Sequence, residues 1–129
     1  MLAESYARVG RIEEGLALLN ESLQRIERTG ARMELPEILR VKAEVLLMHD
    51  RNATDDAEAC FRSAVHEARM QEAKWWELRS SVSLGRLLRD THRRDEARTM
   101  LSEVYNWFTE GLDLPDLMEA KSLLDELAR

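Results

Sequence analysis

A recurring pattern of small and large side chains is the feature of this sequence that most constrains its fold. Ala3, Ala43 and Gly85 lie about 40 residues apart, and each opens a similar segment. A second series of small residues repeats in step, and a large residue follows each by four positions: Gly15 with Leu19, Ala57 with Phe61, and Ala97 with Leu101. A fixed period of about 20–50 residues is typical of repeat proteins in which each repeat is one supersecondary unit.

The spacing inside each repeat indicates two helices. Apolar residues recur three and four positions apart, as in Leu16, Leu19, Leu23 and Ile26, which is the period of one face of an α-helix. Two helices approach to about 8–10 Å where small side chains line the crossing, and a large side chain one turn away fills the adjacent groove. We therefore expect an all-α fold built from helix–turn–helix units.

Seven helices are predicted, with bounds that follow the turn-forming residues. The expected spans are residues 1–9, 12–29, 35–48, 54–72, 74–91, 94–110 and 115–128. Gly10, Gly30 and Gly111 lie just past predicted helix ends, where a left-handed residue is favoured, and Pro115 suits a first helical turn.

These helices group into a single domain over residues 1–129. Its repeats cover roughly residues 1–30, 35–72 and 74–110, and an amphipathic capping helix at 115–128 covers the last apolar face. Terminal caps of this kind are expected in stacked repeats. Because the first helix is short, we expect the chain to be a fragment of a longer array.

Composition argues against several classes of partner. The chain has 19 basic and 25 acidic residues, a net charge of -6, whereas binding to a nucleic-acid backbone needs concentrated positive charge. No apolar run approaches the roughly 20 residues of a membrane-spanning helix. A single cysteine, Cys60, cannot form an intramolecular disulfide, and no secretory signal is apparent. We expect neither nucleic acid nor membrane as a partner, and a cytoplasmic location.

Short motifs resemble a known repeat family. The spacing of Ala57 with Phe61, and of Leu84-Gly85 with Leu88, is similar to the tetratricopeptide consensus. Three longer segments, YARVGRIEEGLALL, DDAEACFRSAVHEAR and VYNWFTEGLDLPDLMEAKSLLDEL, resemble the C-terminal repeat region of large bacterial proteins that join a class III adenylate or guanylate cyclase domain to an ATPase module. The resemblance implies a tetratricopeptide-like α–α superhelix and a regulatory or protein-interaction role in signalling, and it carries no catalysis across.

The sequence offers no constellation for catalysis, a cofactor or a metal. None of the three histidines, His49, His66 and His92, has a second histidine or cysteine three or four residues away, as a metal site on a helix would require. Cys60 adjoins the predicted core residue Phe61, which favours a buried and unreactive thiol. We therefore predict that the chain is not an enzyme and holds neither cofactor nor metal.

The aromatic residues are concentrated near the third repeat. Trp76 and Trp107 are expected to pack in the core. Trp75 is open between core and surface, because consecutive helical residues point about 100° apart.

The first helices of the hairpins are expected to line a common inner surface, to which Glu4 and Arg8 also belong. The candidate partner-binding groove consists of Glu37, Arg40, Glu44, Arg79, Arg86, Arg89 and Trp75. Arginines outnumber acids over residues 79–98, and acids outnumber bases over 99–129. This asymmetry suits capture of an acidic peptide or of another copy of the cap. An ordinary solvated helix face with intrahelical ion pairs is the other interpretation.

Two functions are consistent with these features. The first is a protein–protein interaction or scaffolding module that binds a peptide, a partner protein or another domain of the same polypeptide. The second is a structural module that forms homo-oligomers through its N-terminal end, where Leu2, Tyr6 and Val9 would contact another copy.

Overall fold

Seven α-helices form the part of the chain that the computed structural model describes, residues 2–129. They are α1 (Leu2–Arg8), α2 (Ile12–Thr29), α3 (Leu35–His49), α4 (Thr54–Met70), α5 (Lys74–Asp90), α6 (Arg94–Tyr105) and α7 (Pro115–Leu127). Residues 2–129 contain no strand. The all-α prediction is confirmed, and every helix except α6 ends within two residues of its predicted bounds; the predicted start at residue 1 lies outside the described residues.

The helices pack in a regular order. Each helix packs against the next one along the chain, and α1 also packs on α3, α3 on α5, and α5 on α7. Within the described range, α2 does not pack directly on α4, nor α4 on α6. The odd-numbered helices therefore form one continuous row, and the even-numbered helices flank it.

Small residues allow the helices to approach closely, as the repeat predicted. Ala3, Ala43, Ala57 and Ala97 are each at most 3% exposed, and Gly15 and Gly85 are also buried. A methyl group added at Gly15 would lie 2.7 Å from the carbonyl oxygen of Ala3, which is backbone and cannot move aside easily. One added at Gly85 would meet a side-chain methyl of Leu123 at 3.3 Å.

Large apolar side chains fill the space beside these crossings in two clusters. One cluster lies among α1, α2 and α3 and includes Leu19, Val41 and Val45. The other extends from α3 to α7 and includes Phe61 and Leu101. Full burial of such a side chain contributes about 1.5–3 kcal/mol, so most of the stability resides in these contacts between helices.

Helix α5 is the most enclosed element of the fold. It packs against α3, α4, α6 and α7. Even its polar residues Ser80 and Ser81 have no solvent exposure, and their hydroxyls have no hydrogen-bond partner among the described residues. In the row of odd helices α5 lies between α3 and α7. Its remaining polar face is therefore at the centre of the molecule.

Helix α6 ends five residues earlier than predicted. After Tyr105 the backbone turns, with the amide of Trp107 donating to the carbonyl of Val104 at 3.2 Å. Phe108 then packs edge-on against Trp75, with ring centroids 5.8 Å apart, and against Trp107 at 5.1 Å. This contact with α5 is tertiary, so helical periodicity did not reveal it.

Two sequence interpretations change with the early end of α6. Trp107 is 59% exposed, so its predicted core packing is wrong, whereas Trp76 is half-buried. Gly111 has a φ of 68° as expected, but it lies inside the loop before α7 and not directly after a helix.

The turns after α1, α4 and α5 share one geometry although their residues differ. The amide of Arg11 donates to Tyr6, that of Ala73 to Ala68, and that of Arg93 to Leu88, at 2.8, 2.9 and 2.7 Å. Such closure needs a residue with positive φ. Gly10 supplies it after α1, while Glu72 and His92 adopt φ of 56° and 66° after α4 and α5. The same turn geometry therefore recurs after α4 and α5, although no glycine in the sequence predicts it there.

Ion pairs join the even helices across the outer side. Arg62 in α4 pairs with Glu96 in α6 at 3.0 Å, and Arg93 pairs with Glu58 in α4 at 2.6 Å. Hydrogen bonds from Arg93 and then from Arg62 hold the pKa of Glu58 below its usual 4.5. Among the described residues these side-chain contacts connect even helices of successive hairpins whose backbones do not approach closely.

Replacement of Gly15 by alanine tests the close approach of α1 and α2. Helix propensity alone predicts that Gly15→Ala raises stability by about 1 kcal/mol. We expect a loss of about 1–3 kcal/mol instead, because the new methyl group would collide with the Ala3 carbonyl. Urea unfolding followed by circular dichroism measures the change. Gly85→Ala is the control, with a change within about 1 kcal/mol, since the Leu123 side chain can shift; a gain at Gly15 would contradict the packing.

The pH dependence of Glu58→Gln tests the link between α4 and α6. Because the folded state lowers the pKa of Glu58, its stabilisation is complete above pH 4.5 and is lost as pH falls through the folded pKa. We expect the variant to lose about 1 kcal/mol at pH 7, with the difference from the parent shrinking as the pH falls from 4.5 through the lowered pKa of Glu58. Glu21→Gln, in an exposed pair 3.9 Å from Arg25, should change stability at neither pH.

Candidate partner-binding cavity

All four odd-numbered helices contribute side chains to one cavity of about 240 Å³. Helix α3 supplies Arg40, Glu44 and Met48, which are spaced four residues apart on one face, and α5 supplies Arg79, Val82, Ser83 and Arg86. The remaining lining comes from Glu4 and Arg8 of α1 and from Asp116 and Glu119 of α7. The row of odd helices thus creates a shared, mostly polar surface.

Four of the predicted groove residues line this cavity: Arg40, Glu44, Arg79 and Arg86. Glu37 does not line it but binds two of its arginines, and Arg89 lies further along α5 against α7. Trp75 lies elsewhere, against Phe108. Glu4 and Arg8 are in the cavity as expected.

Sequence reasoning missed five residues of the lining. Met48 follows Glu44 by four residues and therefore shares its helix face, so the helical period could have identified it. Val82 and Ser83 lie three and four residues after Arg79 and so share its helix face. Asp116 and Glu119 could be found only by treating the cap α7 as the next member of the odd-numbered row.

Arg40 joins α1 to α3 at one end of the cavity. Its guanidinium donates two hydrogen bonds to Glu37, at 2.6 and 3.0 Å, and lies 3.8 Å from Glu4. The Arg40 side chain is only 11% exposed. Burial opposes its charge, but the hydrogen bond and charge of Glu37, together with Glu44 and Glu4, raise the pKa of Arg40 above its usual value. This arginine is therefore permanently charged and committed to its carboxylates.

Arginines of α5 continue the row of ion pairs. Arg79 lies 3.3 Å from Glu37 of α3 and 3.8 Å from Asp116 of α7, so it bridges three helices. Arg86 pairs with Glu119 and Arg89 pairs with Glu126, the latter at 2.8 Å. The partners advance along both helices in the same direction, which shows that α5 and α7 run parallel.

The basic and acidic runs of the sequence therefore meet within the molecule. Residues of α7 provide carboxylates to Arg79, Arg86 and Arg89. A buried or half-buried arginine that already has a carboxylate partner attracts a second anion weakly, because the first must be displaced. An acidic peptide would have to compete with the cap for these arginines.

Metal binding and thiol chemistry find little support in the described residues. No group of three or more His, Cys, Asp or Glu residues in the range 2–129 could hold a metal ion. Burial raises the pKa of the half-buried Cys60 thiol, which disfavours the reactive thiolate. Among the same residues, none of the helices combines the length and apolarity needed to cross a membrane.

Comparison of the chain with protein-family models, with curated proteins and with solved structures gives no significant match in any of the three. The tetratricopeptide resemblance and the link to bacterial cyclase–ATPase proteins therefore stay predictions. The cavity and its ion pairs are the observations on which function can be argued.

Proposed function

We propose that this chain is a protein–protein interaction module of tetratricopeptide type, in which the odd-numbered helices line the partner-binding groove. The observation that carries the proposal is the cavity itself, which draws side chains from α1, α3, α5 and α7. Stacked helical repeats commonly bind partners on such extended shared surfaces.

The size of the cavity favours a peptide side chain over a small-molecule ligand. Pockets for small molecules usually enclose about 300–1,000 Å³ and are mainly apolar, whereas this cavity encloses about 240 Å³ and is largely ionic. One side chain of a bound segment fits this volume, and the rest of the segment would lie along the row of odd helices.

The resemblance supports a wider context. We propose that the module serves as the regulatory repeat tail of a cytoplasmic bacterial signalling protein, in which any nucleotide-cyclase activity belongs to other domains. The quoted sequence segments are the support for this context. The coding sequence that adjoins this chain tests it, and neighbouring sequence with neither a cyclase nor an ATPase domain would contradict it.

Blocking the cavity without altering its charge tests the groove. Peptides selected from a random twelve-residue display library on the full chain should bind in the cavity. Met48→Trp, at a cavity residue that is 42% exposed, should weaken their binding by about tenfold or more, because the larger ring fills the site. Fluorescence anisotropy measures the dissociation constants.

Met118→Trp is the matched control for this experiment. Met118 is 56% exposed on α7 and lies outside the cavity, so its replacement should leave affinity unchanged. Circular dichroism should show equal helicity and melting temperature for both variants. Equal affinity of the Met48 and Met118 variants for every selected peptide would contradict binding in the groove.

Self-association is the second candidate function. Leu2 and Val9 are 62% and 73% exposed at the α1 end of the row. Tyr6 between them is half-buried beneath the guanidinium of Arg11, which lies 4.4 Å from the ring centroid. Exposed apolar side chains at the end of a helical stack suit contact with a further helix.

Sedimentation velocity separates the two candidates. Self-association through α1 predicts a dimer or larger species at high concentration that Leu2→Glu with Val9→Glu converts to monomer, because buried charges oppose the contact. Met33→Glu, at a residue 78% exposed in the loop before α3, should leave the assembly intact. A monomer at every concentration would eliminate this candidate.

A further inference from the structure

Two polar groups in the cavity lack a partner among residues 2–129. The Glu44 carboxylate forms no hydrogen bond or ion pair with any residue in 2–129, although its charge acts on Arg40. Ser83 is only 5% exposed, and its hydroxyl likewise has no partner in the described chain. Both residues line the same cavity. Glu44 is half-buried and both side chains face the cavity, so their free acceptors are available to a ligand there.

The charges around the cavity decide the sign of that ligand. Every arginine of the lining is already paired. Arg8 lies 3.4 Å from Glu4, Arg40 and Arg79 share Glu37, and Arg86 pairs with Glu119. Glu44 alone is left without an ion pair among the carboxylates that line the cavity. The four arginines and four carboxylates of the lining balance formally, but Glu37 outside the lining also pairs with two of those arginines. Glu44 is therefore the carboxylate left for a cationic group, which gains an ion pair there without breaking an existing one.

The shape of the cation follows from the neighbours of Glu44. One carboxylate and one hydroxyl provide acceptors for a compact ammonium, which has three donors. Met48 and Val82 line the same cavity and offer apolar contact for a methylene chain, which lysine side chains commonly use while their charged end stays hydrated or paired.

We propose that the cavity binds a lysine side chain of a partner peptide, with the ammonium donating to the Glu44 carboxylate and the Ser83 hydroxyl. The methylene chain lies against Met48 and Val82. This inference rests on the proposed interaction function and specifies the partner's chemistry. The arginine-rich sequence of α5 indicates an anionic ligand. The proposal assigns a cationic one instead, because carboxylates of α7 already pair with those arginines.

Nuclear magnetic resonance titration with short peptides tests the proposal. The full chain, labelled with ¹⁵N, is titrated with three acetylated and amidated pentapeptides, Ala-Ala-X-Ala-Ala, in which X is lysine, norleucine or glutamate. The lysine peptide should shift the amide resonances of Glu44, Met48 and Ser83. Norleucine retains the apolar chain without the charge and should bind more weakly, and the glutamate peptide should leave these resonances unmoved.

Substitutions assign the effect to the two groups. Glu44→Gln should raise the dissociation constant of the lysine peptide about tenfold, as expected for loss of a charged hydrogen-bond acceptor, and Ser83→Ala should raise it about twofold. Glu13→Gln is the matched control, because Glu13 is an exposed carboxylate on α2 that lies outside the cavity and forms no ion pair with the residues that the structure describes. The Glu13→Gln variant should bind the lysine peptide with the same dissociation constant as the parent chain.

The outcomes separate this inference from the function on which it rests. If the glutamate or norleucine peptide binds at the cavity as tightly as the lysine peptide or more tightly, the lysine assignment is overturned and the proposed groove is retained. No shift with any pentapeptide, while display-selected peptides still bind in a manner sensitive to Met48→Trp, also overturns the lysine assignment alone. Failure of both sets of peptides at the cavity overturns the groove as well.

Discussion

Close contact between helices at small side chains is the interaction on which the rest of this structure depends. The backbone of α1 approaches α2 so closely that Gly15 has no room for a methyl group beside the Ala3 carbonyl. Equivalent alanines at 43, 57 and 97 are fully buried. The crossing at Gly15 closes the hairpin of α1 and α2, and the odd helices of successive hairpins then pack into the row that lines the cavity.

Electrostatics along the row then determines which surface is left for a partner. Ion pairs between carboxylates and arginines run from α1 to α7, and Arg79 bridges three helices. Such a network contributes modestly to stability, but it removes most charges from competition for a ligand. The cap α7 has two effects, since it covers apolar residues of α5 and also neutralises that helix's arginines. What stays open is a small cavity with an unpaired carboxylate.

Much of the fold was predictable from periodicity, and the failures have one cause. The bounds of α2 matched the prediction, and those of α3, α5 and α7 came within one residue, because their apolar spacing and turn residues are local signals. The end of α6 was not predictable, since Phe108 turns away from helical geometry to pack on Trp75 of another helix. The left-handed turns at Glu72 and His92 were also missed, because only a small fraction of non-glycine residues adopt that conformation.

The sequence by itself determined the helical class, the period of the repeat, the small residues at the crossings and which faces of α3 and α5 would line a common surface. These follow from spacing along a single helix, which is a one-dimensional property. Only the tertiary structure decided which charges on that surface are free. Pairing of Arg79 and Arg86 with Asp116 and Glu119 depends on how α7 lies beside α5, and residues more than thirty positions apart meet only once the hairpins have packed.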